Sequence, residues 1–124
     1  QQNPYSRFSW IGGYSFGALI SMQLMMRRPE IGRFIAVAPP AETDDFSFLA
    51  PCPASGLIVH GDADRNVALE AVSKLAKKIA SQKNIKVNFD VLKGADHFFQ
   101  DHMDELAEHV NTYLDKSLAE LAEA

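Results

Sequence analysis

The chain has 124 residues, 47% of them hydrophobic and 23% charged, with a formal net charge of −4. That length suits a single domain over residues 1–124 with one core; the acidic balance argues against nucleic acid, which needs a basic face; and no apolar run nears the ~20 residues that cross a bilayer. The one cysteine, Cys52, excludes an intrachain disulfide and suits a reducing, cytoplasmic setting, and no secretory leader is visible.

In chain order, Phe8–Ile11 reads as a strand running into Gly12 and then Gly13-Tyr14-Ser15-Phe16-Gly17. From Phe16 to about Arg28 the pattern is helical and apolar almost all round (Leu19, Ile20, Met22, Leu24, Met25, Met26), stopping before Pro29. The methionines there read as core filling. Phe34–Ala38 and Leu57–His60 are continuous apolar runs, as strands buried on both faces require, and Lys86–Leu92 completes the set. Between the second and third strands, Pro39 to Ser55 is rich in proline and acids and reads as a surface loop without a lid helix; Cys52 within it is an incidental thiol. Asn66 to about Ser81 is an amphipathic helix with Leu69, Val72, Leu75, Ala76 and Ile79 inside. A last helix from about Asp101 to the end puts Met103, Leu106, Val110, Tyr113, Leu114, Leu118 and Leu121 on one stripe. Strands alternating with helices predict an α/β fold with a four-stranded, mostly parallel sheet and flanking helices.

Gly13–Gly17 is a G-x-S-x-G sequence between a strand and a helix, the pattern of a serine held on a tight turn with its hydroxyl projecting outward. Side chains at Gly13 and Gly17 are expected to collide with the neighbouring strand or helix. A serine nucleophile needs a base, and the base an orienting acid. Asp64 follows the third strand and His97 the fourth, so Ser15, Asp64 and His97 are expected to meet at the carboxyl edge of the sheet. Each has a plainer reading: Ser15 as a turn residue, Asp64 as a helix N-cap, His97 as a surface histidine. Asp62 reads as a turn residue that accepts backbone hydrogen bonds. His60, at a strand end, reads as a packing or supporting histidine, and His102 and His109 as ordinary helix residues. Asp62-x-Asp64-x-Asn66 copies the start of a calcium loop, but positions six and twelve hold Val67 and Ser73 instead of Gly and Glu, so no metal is expected.

The elbow Gly13–Gly17, the acid loop Gly61-Asp62-Ala63-Asp64 with Val67 three residues later, and the loop Gly94-Ala95-Asp96-His97 together resemble the α/β-hydrolases. The likeness is to the second half of that fold, among the small lidless enzymes of the dienelactone-hydrolase-like group. The resemblance implies Ser15 as nucleophile, Asp64 as acid, His97 as base and the Phe16 N–H as one oxyanion donor. The short loop between the second and third strands, without a helical lid, leaves an open, small pocket that favours a small soluble ester or thioester, with Tyr14 and Phe98 expected as substrate contacts, Phe99 on the same wall and no cofactor expected. Ala68 stands where proline is frequent in the group. Serine stands where the dienelactone enzymes proper have cysteine, so that substrate does not carry over.

Strand order first-to-fourth with right-handed crossovers puts the connecting helices on one face and leaves only the last helix for the other. Four strands span roughly 15–19 Å and one helix covers about 10 Å. Part of that second face, nearest the nucleophile strand, is therefore expected to be bare, and the first strand to be a free edge. Either the chain is part of a longer hydrolase, or two copies pair through their first strands as a homodimer. The competing reading is a catalytically silent half-domain whose edge is an interaction surface.

Overall fold

A computed structural model describes residues 9–28, 31–49 and 52–123. Its elements are β1 (Ser9–Tyr14), α1 (Phe16–Met25), β2 (Ile31–Val37), a 3₁₀ turn (Ser47–Leu49), β3 (Ser55–Gly61), α2 (Leu69–Ala80), β4 (Val87–Leu92) and α3 (Met103–Glu123). The four strands form one parallel sheet in the order β1-β2-β3-β4. The fold is that of the α/β class expected.

Period-two alternation divides the strands between two cores. Phe34, Ala36 and Ile58 face α1 and α2, where Leu19, Met22, Met25, Val72, Leu75 and Ile79 complete one cluster. Val37, Leu57, Val59 and Leu92 face α3, where Tyr113 and Phe99 close the second. Only the inner strands are buried on both faces. Along β4, Asn88 and Val91 are exposed, because an outer strand has a neighbour on one side only.

Several boundaries differ from those expected, each for a local reason. β1 runs on to Tyr14, since Gly12 and Gly13 stay extended and pair with Ile35 and Ala36; Phe8 lies outside the described residues. α1 ends at Met25, and the next turn tightens, with Arg27 and Arg28 donating to Leu24 and Met25 carbonyls three residues back. α2 starts at Leu69 because the Asp64 side chain takes the Asn66 and Val67 N–H groups into a turn of their own. On α3, Met103 and Leu118 are exposed although they share the expected stripe.

The segment expected as a surface loop is partly core. Phe46, Leu49, Cys52 and Ala54 are buried, and Gln82 pins the stretch by donating to the Leu49 carbonyl (2.8 Å) and accepting from the Cys52 N–H (2.5 Å). The second sheet face is better covered than strand and helix widths suggest. Tyr113 of α3 reaches across to Trp10 of β1 in an edge-to-face contact with centroids 6.3 Å apart, and Arg33 donates to the Tyr113 hydroxyl at 3.3 Å. Two large side chains span what backbone spacing leaves open. Among the described residues nothing pairs with the outer side of β1. The apolar surround of α1 is also only half used: Phe16, Ile20 and Leu24 are 62%, 46% and 40% exposed, one residue per turn along a single outer stripe.

Candidate active site

Parallel pairing delivers the ends of β1, β3 and β4 to the same edge of the sheet, so the residues that follow each strand become neighbours. Ser15 sits between β1 and α1 with φ 56° and ψ −122°, a left-handed conformation that costs a non-glycine residue about 1–3 kcal/mol. It is held by a hydrogen bond from the Ser15 N–H to the Val37 carbonyl at 2.8 Å and one from the Ala18 N–H to the Ser15 carbonyl at 2.9 Å. The reason the turn can be so tight is Gly13. A Cβ there would lie 2.2 Å from the Gly17 carbonyl oxygen and 2.5 Å from its carbon. Gly17 behaves otherwise: a Cβ on it would meet nothing within 4 Å. The expected collision at that second glycine is absent: its carbonyl lies against Gly13, while the direction a Cβ on it would take is open.

The acid and base loops are stitched together by their backbones. The Asp62 N–H bonds to the Leu92 carbonyl (3.2 Å), the Ala63 N–H to the Ala95 carbonyl (3.0 Å), and the Gly94 N–H to Asp62 Oδ1 (2.6 Å). Gly61 permits this approach, since a Cβ there would lie 2.2 Å from the Ala95 oxygen. Asp62 is thus the turn acceptor anticipated from its position.

On this frame Ser15, His97 and Asp64 come together. Ser15 Oγ lies 2.9 Å from His97 Nε2, and His97 Nδ1 lies 2.7 Å from Asp64 Oδ2. The carboxylate can only accept, so Nδ1 carries the hydrogen and Nε2 is left as the acceptor for the serine hydroxyl. The Asp64 side chain is fully buried and that of His97 8% exposed. The carboxylate is satisfied on its other oxygen: Oδ1 accepts the Asn66 and Val67 N–H groups at 2.7 and 2.9 Å. Asp64 therefore fixes its own loop and contacts the imidazole at once, without being the N-cap of α2, which is Ala68.

His60 belongs to the same cluster. It is fully buried; its Nε2 lies 2.8 Å from the Val67 carbonyl and 3.4 Å from Asp64 Oδ2. Tyr14 is tied in as well. Its hydroxyl donates to the His97 carbonyl at 2.7 Å, and its ring lies 5.6 Å from the imidazole. Burial, then the negative charges of Asp64 and Asp96, raise the phenol pKa and keep it protonated as a donor. The sequence has no signal for this contact, since the tyrosine and the carbonyl are 83 residues apart.

The two expected wall residues part company. Phe98 is 62% exposed and meets His97 edge-on at 5.3 Å. Phe99 is only 1% exposed, turned by its φ of 55° into the core under α3, and does not face the site. Phe16 opens α1, so its N–H is among the first-turn groups that have no intrahelical acceptor. Among the described residues no cluster of His, Cys, Asp or Glu has the arrangement of a metal site, and no helix is long and apolar enough to cross a membrane.

A profile of the dienelactone hydrolase family matches residues 1–122. An uncharacterized protein of Rickettsia prowazekii is 46% identical over 118 residues, an alignment covering 92% of this chain and 50% of that protein. Among solved structures, a protein of unknown function from Agrobacterium tumefaciens is 52% identical with a TM-score of 0.87, over 89% of this chain and 50% of that one. A lidless α/β serine hydrolase from Xanthomonas campestris is 28% identical with a TM-score of 0.75, over 86% and 46%. The chain thus spans about half the length of the relatives it matches.

Proposed function

Since the chain belongs to the dienelactone hydrolase family, we propose that it carries the reacting half of a serine hydrolase, with Ser15 as nucleophile, His97 as base and Asp64 as orienting acid. The observation that carries this reading is the unbroken series of contacts from Ser15 Oγ to His97 Nε2 (2.9 Å) and from Nδ1 to Asp64 Oδ2 (2.7 Å).

Ser15 Oγ attacks the acyl carbon of an ester or thioester while its proton passes to His97 Nε2. Asp64 holds the imidazole in the required tautomer and stabilises the cation that forms. The Phe16 N–H, at a helix N-terminus, donates to the developing oxyanion. The tetrahedral intermediate collapses to an acyl-serine as His97 protonates the departing alcohol or thiol. Water, deprotonated by His97, then attacks the acyl-serine, and Ser15 regains its proton. The substrate is small and soluble. Supporting this, the loop between β2 and β3 contributes only a 3₁₀ turn among the described residues, and Phe98 leaves an open apolar wall.

Among the described residues the Phe16 N–H is the one oxyanion donor this reading assigns. A site with one donor instead of two typically loses about 10²–10³ in rate, so slow turnover is expected of the described site. The exposed α1 stripe of Phe16, Ile20 and Leu24 favours a second reading, an assembly module whose partner is another copy or a complementary half. A fluorophosphonate separates the two. Expected is a single adduct on Ser15 that Ser15→Ala abolishes, together with p-nitrophenyl acetate turnover above that of Ser15→Ala. Folded protein with no adduct, and equal turnover in both forms, leaves only the assembly module.

A further inference from the structure

His60 lies on the side of β3 opposite Val59, and its buried ring points at the acid loop. Its Nε2 faces two acceptors, the Val67 carbonyl at 2.8 Å and Asp64 Oδ2 at 3.4 Å. An imidazole nitrogen that meets only acceptors must carry the hydrogen. The other nitrogen, Nδ1, is buried with no hydrogen-bond partner. A buried polar atom left without a partner is destabilising, so a merely space-filling residue here would be better apolar. Leucine or methionine would fill the same volume without that cost.

What the imidazole adds is an N–H held by β3, one of the two inner strands. It anchors the Val67 carbonyl, at the far end of the loop whose Asn66 and Val67 N–H groups grip Asp64 Oδ1. The same N–H stands beside Oδ2, the oxygen that accepts from His97. At 3.4 Å this second contact is too long for a full hydrogen bond but short enough for the N–H dipole to act on the carboxylate charge. Asp64 thus lies between two imidazoles, one on the mobile proton's path and one on its far side.

We propose that His60 is a positioning residue for the reaction: its Nε2–H locks the 61–67 loop and fixes the Asp64 carboxylate so that Oδ2 faces His97. The inference rests on Asp64 acting as the orienting acid. Without the lock the carboxylate turns about its side-chain bonds, and His97 loses its fixed orientation toward Ser15. A misplacement of ~1 Å in such a group costs about 10²-fold.

The test uses the full chain. Nitrogen-15 NMR of the wild type should show His60 as the Nε2–H tautomer, and a far-downfield N–H proton for the His97–Asp64 hydrogen bond. His60→Leu should broaden or remove that downfield proton. It should also slow fluorophosphonate labelling of Ser15 by about 10- to 100-fold and shift the pH midpoint of labelling. His60→Gln, whose amide N–H can reach the Val67 carbonyl, should recover most of the labelling rate. A wild-type His60 found as the Nδ1–H tautomer overturns the proposal even if no variant folds. So does a folded His60→Leu that keeps the downfield proton and the labelling profile. If wild-type Ser15 takes no label, the hydrolase reading falls, and the NMR comparison still decides what His60 does to Asp64.

Discussion

The two glycines of the elbow should respond oppositely to the same added methyl group. In Gly13→Ala the new Cβ would lie 2.2 Å from the Gly17 carbonyl oxygen, 2.5 Å from its carbon and 2.5 Å from Ser21 Oγ. Ser21 can rotate away, but the Gly17 backbone cannot, and an ordinary carbon–oxygen contact needs ~1 Å more. The first turn of α1 must therefore lift from β1 by about that distance. Ser15 is the hinge, so its 2.9 Å contact with His97 opens past hydrogen-bond range. Overpacking of this kind costs about 1–3 kcal/mol. With ~2.1 cal/mol/K of unfolding entropy per residue, a chain of 124 residues loses ~4–12 °C in Tm. Labelling of Ser15 should fall by about 10²-fold. Gly17→Ala meets nothing within 4 Å and gains helix propensity, up to about 1 kcal/mol, so its Tm should stay level or rise. Calorimetry and timed fluorophosphonate labelling on both variants decide the matter. Matching melting and labelling in Gly13→Ala and wild type would refute the claim that contact with Gly17 sets the turn.

Further outcomes follow from the same geometry. Tyr14→Phe removes the donor to the His97 carbonyl and should lower stability by about 1 kcal/mol and slow Ser15 labelling while leaving the adduct on the same residue; an unchanged labelling rate would show that the tether is idle. Phe99→Ala should cost about 3–5 kcal/mol by emptying a buried site, whereas Phe98→Ala should leave chemical denaturation nearly unchanged and alter only KM-type parameters. Burial pushes the Cys52 thiol pKa up, so near neutral pH it holds less thiolate than a free cysteine, and iodoacetamide should modify it only after denaturant is added; rapid alkylation of folded chain would contradict its packing.

The strand and helix order, the inner strands and the meeting of Ser15, Asp64 and His97 were legible because each rests on local pattern plus one topological rule. Continuous apolar runs at residues 34–38 and 57–60 have few alternatives to buried parallel strands. Features that depend on side chains crossing from another element were not legible. Nothing near Trp10 signals that Tyr113 will cover it, and nothing in Phe98-Phe99 tells which ring turns inward until the positive φ at Phe99 is seen. Gly17 misled for a related reason: a motif glycine suggests crowding, yet its surroundings in this chain are open. His60 was recognisable as a residue near the site, but its unpartnered nitrogen is a property of three-dimensional enclosure.

Asp64 splits its duties between its two oxygens, and this makes asparagine, its nearest isostere, a poor substitute. If the amide oxygen stays on the Asn66 and Val67 N–H groups, the NH₂ confronts His97 Nδ1 and drives the ring to its other tautomer, so that Ser15 meets an N–H where the proposed reaction needs a lone pair. If the amide flips, NH₂ faces two backbone donors and the loop springs open. Either way a single-atom replacement breaks one of two obligations, and neither rotamer offers a compromise. A position so doubly committed leaves drift or engineering no gradual route away from a carboxylate.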